Sequence, residues 1–301
     1  MQKYLYSLNL NLSRFIALAI FISASFTTQA KVIKEERSLY RNIFVEDKGN
    51  VRCLKFSVKR KTSSQSCINK DNPQKLVFNY TKYVMSSLVF IPNPQKVLII
   101  GLGGGTLSNS LLELYPQIEI DNVEIDPAVV RVAKNYFDFK ETDKVRSHTK
   151  DGRIFIKRAQ RKQQRYDLII LDAFNGEYIP EHLLTQEFLE ETKSLLTEQG
   201  VLVANTFSSS KLFHHESATY HAVFGDFYSI SNENSSGNRV IIIPNKMPLA
   251  SEIGNNVETL TLPLAKYDIK LFNVISFMDL EKDVESDYRV LTDQYSPANL
   301  L

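Results

Sequence analysis

The sequence predicts an α/β fold, a doubly wound and mostly parallel sheet of Rossmann or methyltransferase type. A closing antiparallel hairpin ends the sheet and a small N-terminal β domain precedes it. Three observations predict this. Residues 97–100 are a β-branched run, Gly101 to Gly105 a glycine turn, and residues 106–114 a helical stretch. A second strand, 118–123, ends on Glu124, and helical and strand patterns then alternate through Thr206. That alternation marks a parallel sheet covered by helices on both faces. Finally, strand-like runs at 227–231 and 239–243 flank a segment rich in Asn, Ser and Gly, the pattern of a hairpin.

The elements follow in chain order. Lys3 and Arg14 precede an apolar run, 15–26, and Thr28-Gln29-Ala30 approximates a small-x-small cleavage site. Residues 1–30 are therefore expected to be an export signal, which would make the protein periplasmic or secreted. The alternative is an uncleaved anchor, with Lys31, Lys34, Arg37 and Arg41 holding the body in the cytoplasm. Either way, membrane contact is expected through this segment only. Strands at 40–46, 52–58 and 66–68, separated by turn residues and a basic, Ser-rich loop, form the β domain assigned to 31–75. Cys53 and Cys67 are the only cysteines. They are either a disulfide closing a hairpin loop or two buried thiols.

The Rossmann-like domain is assigned to 76–245. It opens with a helix at 76–90, stopped by Pro92 and Pro94 ahead of the glycine strand. After Glu124, Asp126-Pro127 begins a helix running to Phe137. A short strand at 145–149 leads to Asp151-Gly152, and a helix with a basic face follows over 154–165. The run 167–171 is a buried strand ending on Asp172. A loop, 173–180, then leads into one long helix expected over 181–196, with Gly200 as its stop. A strand at 201–206 and a helix at 210–224 precede the hairpin, and 246–301 is a partly helical extension packed on the domain.

Composition bounds the function. With 43% hydrophobic and 23% charged residues in 301, a full core is available. Removing Lys3 and Arg14 from 36 basic residues leaves 34, equal to the 34 acidic ones. Such neutrality argues against nucleic acid as a partner. Gly101, Gly103 and Gly105 write G-x-G-x-G, whereas the dinucleotide form requires glycine where Thr106 stands. No Lys-Ser/Thr pair follows, which excludes a phosphate-binding P-loop. A nucleoside without phosphate suits this turn, and S-adenosylmethionine and its decarboxylated form are the candidates. Glu124 stands where a carboxylate accepts hydrogen bonds from ribose hydroxyls.

With VLIIGLGGGTL, VEIDP, DGR and YDLIILDAF, the chain resembles the spermidine synthase family of polyamine aminopropyltransferases. The likeness runs from about Ser38 to the terminal LTDQYSPANLL. It implies transfer of an aminopropyl group from decarboxylated S-adenosylmethionine to a small-molecule amine, with the donor a co-substrate and no tightly bound cofactor. It further implies that Gly101, Gly103 and Gly105 line the donor, that Glu124 holds the ribose, and that Asp151 and Gly152 meet the adenine edge. Asp172 becomes the base, Tyr80 walls the amine tunnel, and Asn175 stands in the acceptor site. A homodimer is compatible with the reading.

Three positions depart from the family pattern. Gly104 replaces the acid of G-G-G-D-G-G, Asn175 the second acid of D-S-x-D-P, and Lys82 the acid of Tyr-x-Glu. Phe174 and Lys82 turn the expected pocket toward an apolar or anionic acceptor. The alternatives are a methyltransferase on the same fold and a non-catalytic exported nucleoside- or polyamine-binding protein. No metal site is expected: neighbours His214 and His215 point apart on a helix, and the two cysteines are too few for a zinc cluster. His182 lies near enough in sequence to Asp172 to line the pocket. No G-x-S-x-G elbow is present, which disfavours a serine hydrolase.

Overall fold

Two sheets make up the frame of the computed structural model, which describes residues 29–59, 64–174, 178–231, 237–282, 284 and 287–295. The apolar run 15–26 and Asn175 lie outside the described residues. The first sheet is an antiparallel meander of β1 (Lys31–Arg37), β2 (Asn42–Lys48), β3 (Val51–Lys55) and β4 (Ser64–Asn69). β1 is an addition to the expected strands. Its charges face both ways on an exposed edge, so it has no apolar alternation to read. Cys53 and Cys67 sit opposite each other on β3 and β4 and form a disulfide, with Cα atoms 4.1 Å apart.

The second sheet has eight strands in the order β12-β10-β11-β9-β8-β5-β6-β7. These are β5 (Lys96–Ile100), β6 (Glu119–Glu124), β7 (Val145–Thr149), β8 (Tyr166–Leu171), β9 (Leu196–Phe207), β10 (Phe227–Ser231), β11 (Asn238–Pro244) and β12 (Met278–Glu281). β5 to β9 pair in parallel, whereas β11, β10 and β12 extend the sheet antiparallel. The chain winds outward from β5 to β6 and β7, then returns to β8 on the other side of β5. The strand order therefore reverses between β5 and β8, and the crevice at that reversal is where such sheets bind ligands.

Helices cover both faces. One carries α1 (Asn79–Ser86), α2 (Thr106–Leu114), α7 (Ala250–Ala265) and α8 (Leu271–Ile275) over Val97, Ile99, Ile120, Leu168 and Val203. The other carries α4 (Gly152–Arg161), α5 (Gln186–Lys193) and α6 (Phe213–Phe224) over Leu98, Ile100, Ile169 and Leu202. α3 (Pro127–Tyr136) joins the sheets, packing Ala128, Val129 and Val132 against Ile43, Val45 and Leu54 of the meander.

Two expectations are corrected. The long helix over 181–196 is a 3-10 turn, Glu181–Leu183, followed by the shorter α5. Thr185 breaks it by capping α5, its hydroxyl accepting from the Phe188 N–H at 3.3 Å. Gly200 does not stop a helix but lies inside β9, where a Cβ would stand 3.0 Å from the Thr197 backbone.

Gly101 fixes the approach of β5 to β8. It has φ +97°, and a Cβ there would lie 2.3 Å from the Asp172 carbonyl oxygen. Gly101→Ala is therefore expected to destabilise the protein by about 2 kcal/mol or more, through both strain and backbone clash. Urea denaturation checks this, and an unchanged midpoint would refute the close approach.

Candidate active site

Three strand ends meet at the crevice. Backbone bonds lock them: the Gly101 N–H donates to the Val123 carbonyl and the Asp172 N–H to the Ile100 carbonyl, each at 2.8 Å. The glycine turn after β5, Glu124 ending β6 and Asp172 following β8 thereby surround one cavity of about 290 Å³. Its lining includes Gly101, Gly103, Glu124, Asp151, Gly152, Asp172 and Tyr80. Gly105 does not line it. That residue starts α2 with φ +77°, and a Cβ would meet the Phe139 ring at 2.7 Å, so this glycine serves packing.

Glu124 bridges the floor. Its Oε2 accepts from the Leu102 N–H at 3.1 Å and its Oε1 from the Asp126 N–H at 3.0 Å. Burial raises its pKa against the pull of those two donors. Each carboxylate oxygen keeps a second lone pair, so ribose hydroxyls can be accepted without breaking the turn. Asp151 caps α4, accepting from the Ile154 N–H at 3.0 Å, and its other oxygen meets His182 Nε2 at 2.8 Å. The His182 contact holds the Asp151 carboxyl below its ordinary value. Gly152 lets α4 close on β5, since a Cβ would stand 2.6 Å from Ile100 Cγ2.

Asp172 is a strongly perturbed carboxyl in the cavity wall. Burial pushes its carboxyl up to about 7, opposed by hydrogen bonds from Asn205 and Tyr80. Tyr80 OH donates to Oδ2 at 3.2 Å and Asn205 Nδ2 to Oδ1 at 2.8 Å. A carboxyl poised near neutrality at a cavity wall suits proton transfer at neutral pH. Beside it, Phe174 makes an edge contact with Phe207, ring centres 4.9 Å apart, so the wall next to Asp172 is aromatic.

Lys82 is corrected. It does not line the cavity; its Nζ pairs with Asp268 at 2.8 Å. The periodicity of α1 explains this, because Tyr80 and Thr81 turn inward and the next residue turns away. His214 and His215 lie on α6, one stacked on Tyr288 with centres 4.4 Å apart, the other at 2.8 Å from the Arg289 carbonyl oxygen. Among the described residues no cluster of three or more His, Cys, Asp or Glu can hold a metal ion.

Several lining residues carried no signal in the sequence. Gln65 and Ser66 reach the cavity from β4, and Ser66 Oγ lies 3.1 Å from Thr106 Oγ1. Arg41 enters from the meander with its guanidinium 4.2 Å from the Phe56 ring centre, and burial lowers its pKa. These come from a sheet remote in sequence, so spacing does not link them to the glycine turn. Asn205 had one signal, an amide inside the otherwise apolar run VLVAN.

Comparison with known proteins agrees with this geometry. Residues 77–232 match the spermine/spermidine synthase domain. The chain is 47% identical over 289 residues to a polyamine aminopropyltransferase of Vibrio vulnificus, covering 95% of this chain and 97% of that protein. A probable spermidine synthase from Corynebacterium glutamicum superposes with a TM-score of 0.68 at 20% identity, covering 87% of this chain and 97% of the other. Human methyltransferase-like protein 13, solved with SAH, superposes at 0.54 with 24% identity, covering 74% of this chain and 99% of that one. The meander, the mostly parallel sheet and the match over the glycine turn through β10 place this chain in the spermine/spermidine synthase family, on the methyltransferase-like α/β fold.

Proposed function

We propose that the protein is a transferase that moves an aminopropyl group from decarboxylated S-adenosylmethionine to a small-molecule amine. The carrying observation is that Glu124 and Asp172 face one cavity from two strand ends with the glycine turn between them. The adenosine lies over the turn, its ribose on Glu124 and its adenine edge toward Asp151 and Gly152. The acceptor enters past Tyr80, and Asn175, three residues after Asp172 in the sequence, is assigned to its site. The resemblance to the Vibrio vulnificus polyamine aminopropyltransferase supports aminopropyl transfer and the class of acceptor.

In the reaction the amine nitrogen attacks the carbon next to the sulfonium. A C–N bond forms, the C–S bond breaks and methylthioadenosine leaves with the electron pair. Before the attack an ionised Asp172 takes one proton from the acceptor ammonium on Oδ2, and the secondary ammonium formed by the attack leaves as the product. An ammonium has no lone pair, so the acceptor must be held deprotonated, and an ionised Asp172 does this. The sulfonium is already activated, and alignment of the two reactants supplies much of the remaining acceleration.

A second reading, methyl transfer from S-adenosylmethionine, is favoured by Gly104. A Cβ there would stand 2.7 Å from Ser66 Oγ and 3.0 Å from Phe137 Cδ1, so an acid at this position has no room unless those side chains shift. Thermal shift with methylthioadenosine, S-adenosylmethionine and its decarboxylated form tests the adenosine site, since ligands stabilise in proportion to affinity. Product analysis then separates the readings. Methylthioadenosine marks aminopropyl transfer and adenosylhomocysteine methyl transfer; stabilisation by none of the three ligands would overturn both.

We further propose that the protein works outside the cytoplasm. The leader pattern and the Cys53–Cys67 disulfide support an oxidising compartment. Among the described residues no helix is long and apolar enough to cross a membrane.

A further inference from the structure

Asn205 is an amide buried in the middle of a sheet, 3% exposed, between two strands. β8 and β9 pair with Leu171 opposite Ala204, which sets Asn205 beside Asp172. β11 lies on the other side of β9, and Asn238 pairs there with Phe207. The three side chains form a line: Asn238 Nδ2 donates to Asn205 Oδ1 at 3.0 Å, and Asn205 Nδ2 donates to Asp172 Oδ1 at 2.8 Å. A buried amide is costly unless both its ends are bonded, and here both are.

The line has a direction. An ionised carboxylate only accepts hydrogen bonds, so the Asn205 amide must present its NH2 to Asp172. The reversed amide would set a carbonyl against a carboxylate, an arrangement tolerated only when Asp172 is protonated. Asn238 opposes that reversal by occupying the Asn205 carbonyl. On the other side of the carboxyl, among the described residues, Oδ2 meets the Tyr80 hydroxyl at the longer distance of 3.2 Å. Among the described residues, Tyr80 on α1 is the titratable group hydrogen-bonded to Asp172. Tyr220 on α6 shares a small apolar hollow with Asn205, and Glu124 and Asp151 stand across the main cavity.

We infer that Asn205, oriented by Asn238, is a positioning residue for Asp172: it engages Oδ1, favours the ionised carboxylate, and leaves Oδ2 to take the acceptor's proton. This rests on the reading of Asp172 as the base.

The test is a ¹³C carboxyl titration of Asp172 in the full chain, with the resonance assigned by its loss in Asp172→Asn. Parallel pH profiles of kcat use decarboxylated S-adenosylmethionine and an amine. Asn205→Ala and Asn238→Ala are each expected to move the Asp172 titration about one pH unit higher. The rising limb of kcat should move with it, while the KM for the donor stays within about twofold. A purely structural role would lower Tm and leave the titration where it is, and that result overturns the inference. If Asn205→Ala does not fold, Asn238→Ala, at a half-buried strand end, decides alone. A shifted titration in a protein that shows no Asp172-dependent transfer would leave the positioning intact and remove the assignment of Asp172 as base.

Discussion

Asp172→Asn is expected to lower kcat by about 10³-fold while the donor Kd stays within about threefold, and to raise Tm above neutral pH. The isosteric amide can still accept from Asn205 and meet Tyr80, so the wall keeps its shape; it loses only the capacity to take a proton. The stability change follows from the sign of the shift. The Asp172 carboxyl sits at about 7 in the folded protein against an ordinary 3.8. Between those values the unfolded chain releases a proton that the folded chain retains, so the wild type loses stability as pH rises through that window. The amide has no such dependence. Its advantage is absent near pH 4 and reaches about 4 kcal/mol, or roughly 10 °C, by pH 8. Calorimetry at the two pH values checks it. A variant with wild-type kcat, or with kcat and donor affinity lost equally, would remove Asp172 from its role.

Glu124→Ala is expected to weaken binding of methylthioadenosine by about 1–3 kcal/mol, roughly 5- to 150-fold in Kd, as measured by titration calorimetry. Two effects combine. The ribose loses its acceptor, and the N–H groups of Leu102 and Asp126 lose the carboxylate that braces the turn. Because burial raises the Glu124 pKa, wild-type donor affinity should also fall as the pH is lowered through the folded value. The alternative is that Glu124 is a brace alone. It predicts a lower Tm with unchanged Kd, and that result would discard the ribose contact.

Much of the glycine-turn side of the cavity was legible because its geometry is local. A strand, a glycine turn and a helix contiguous in sequence must form a bare-backbone crevice, and a carboxylate ending the next strand must stand beside it. The Asp172 side was less legible. Phe174 lines the cavity as expected, but Lys82, directly after the lining residues Tyr80 and Thr81, turns to Asp268 instead. Sequence spacing gives the order along α1; only its packing decides which residue faces inward.

What the sequence alone determined was the winding of the sheet and the two acids at its strand ends, since apolar period, glycine geometry and strand-terminal charge are properties of short segments. What only the tertiary structure decided was the company those acids keep. Asn205 and Asn238 reach Asp172 through the lateral register of β8, β9 and β11, and Gln65, Ser66 and Arg41 arrive from a separate sheet. Such contacts depend on how strands align side by side and how sheets dock, and burial at Asp172, the cause of its raised pKa, exists only once they have done so.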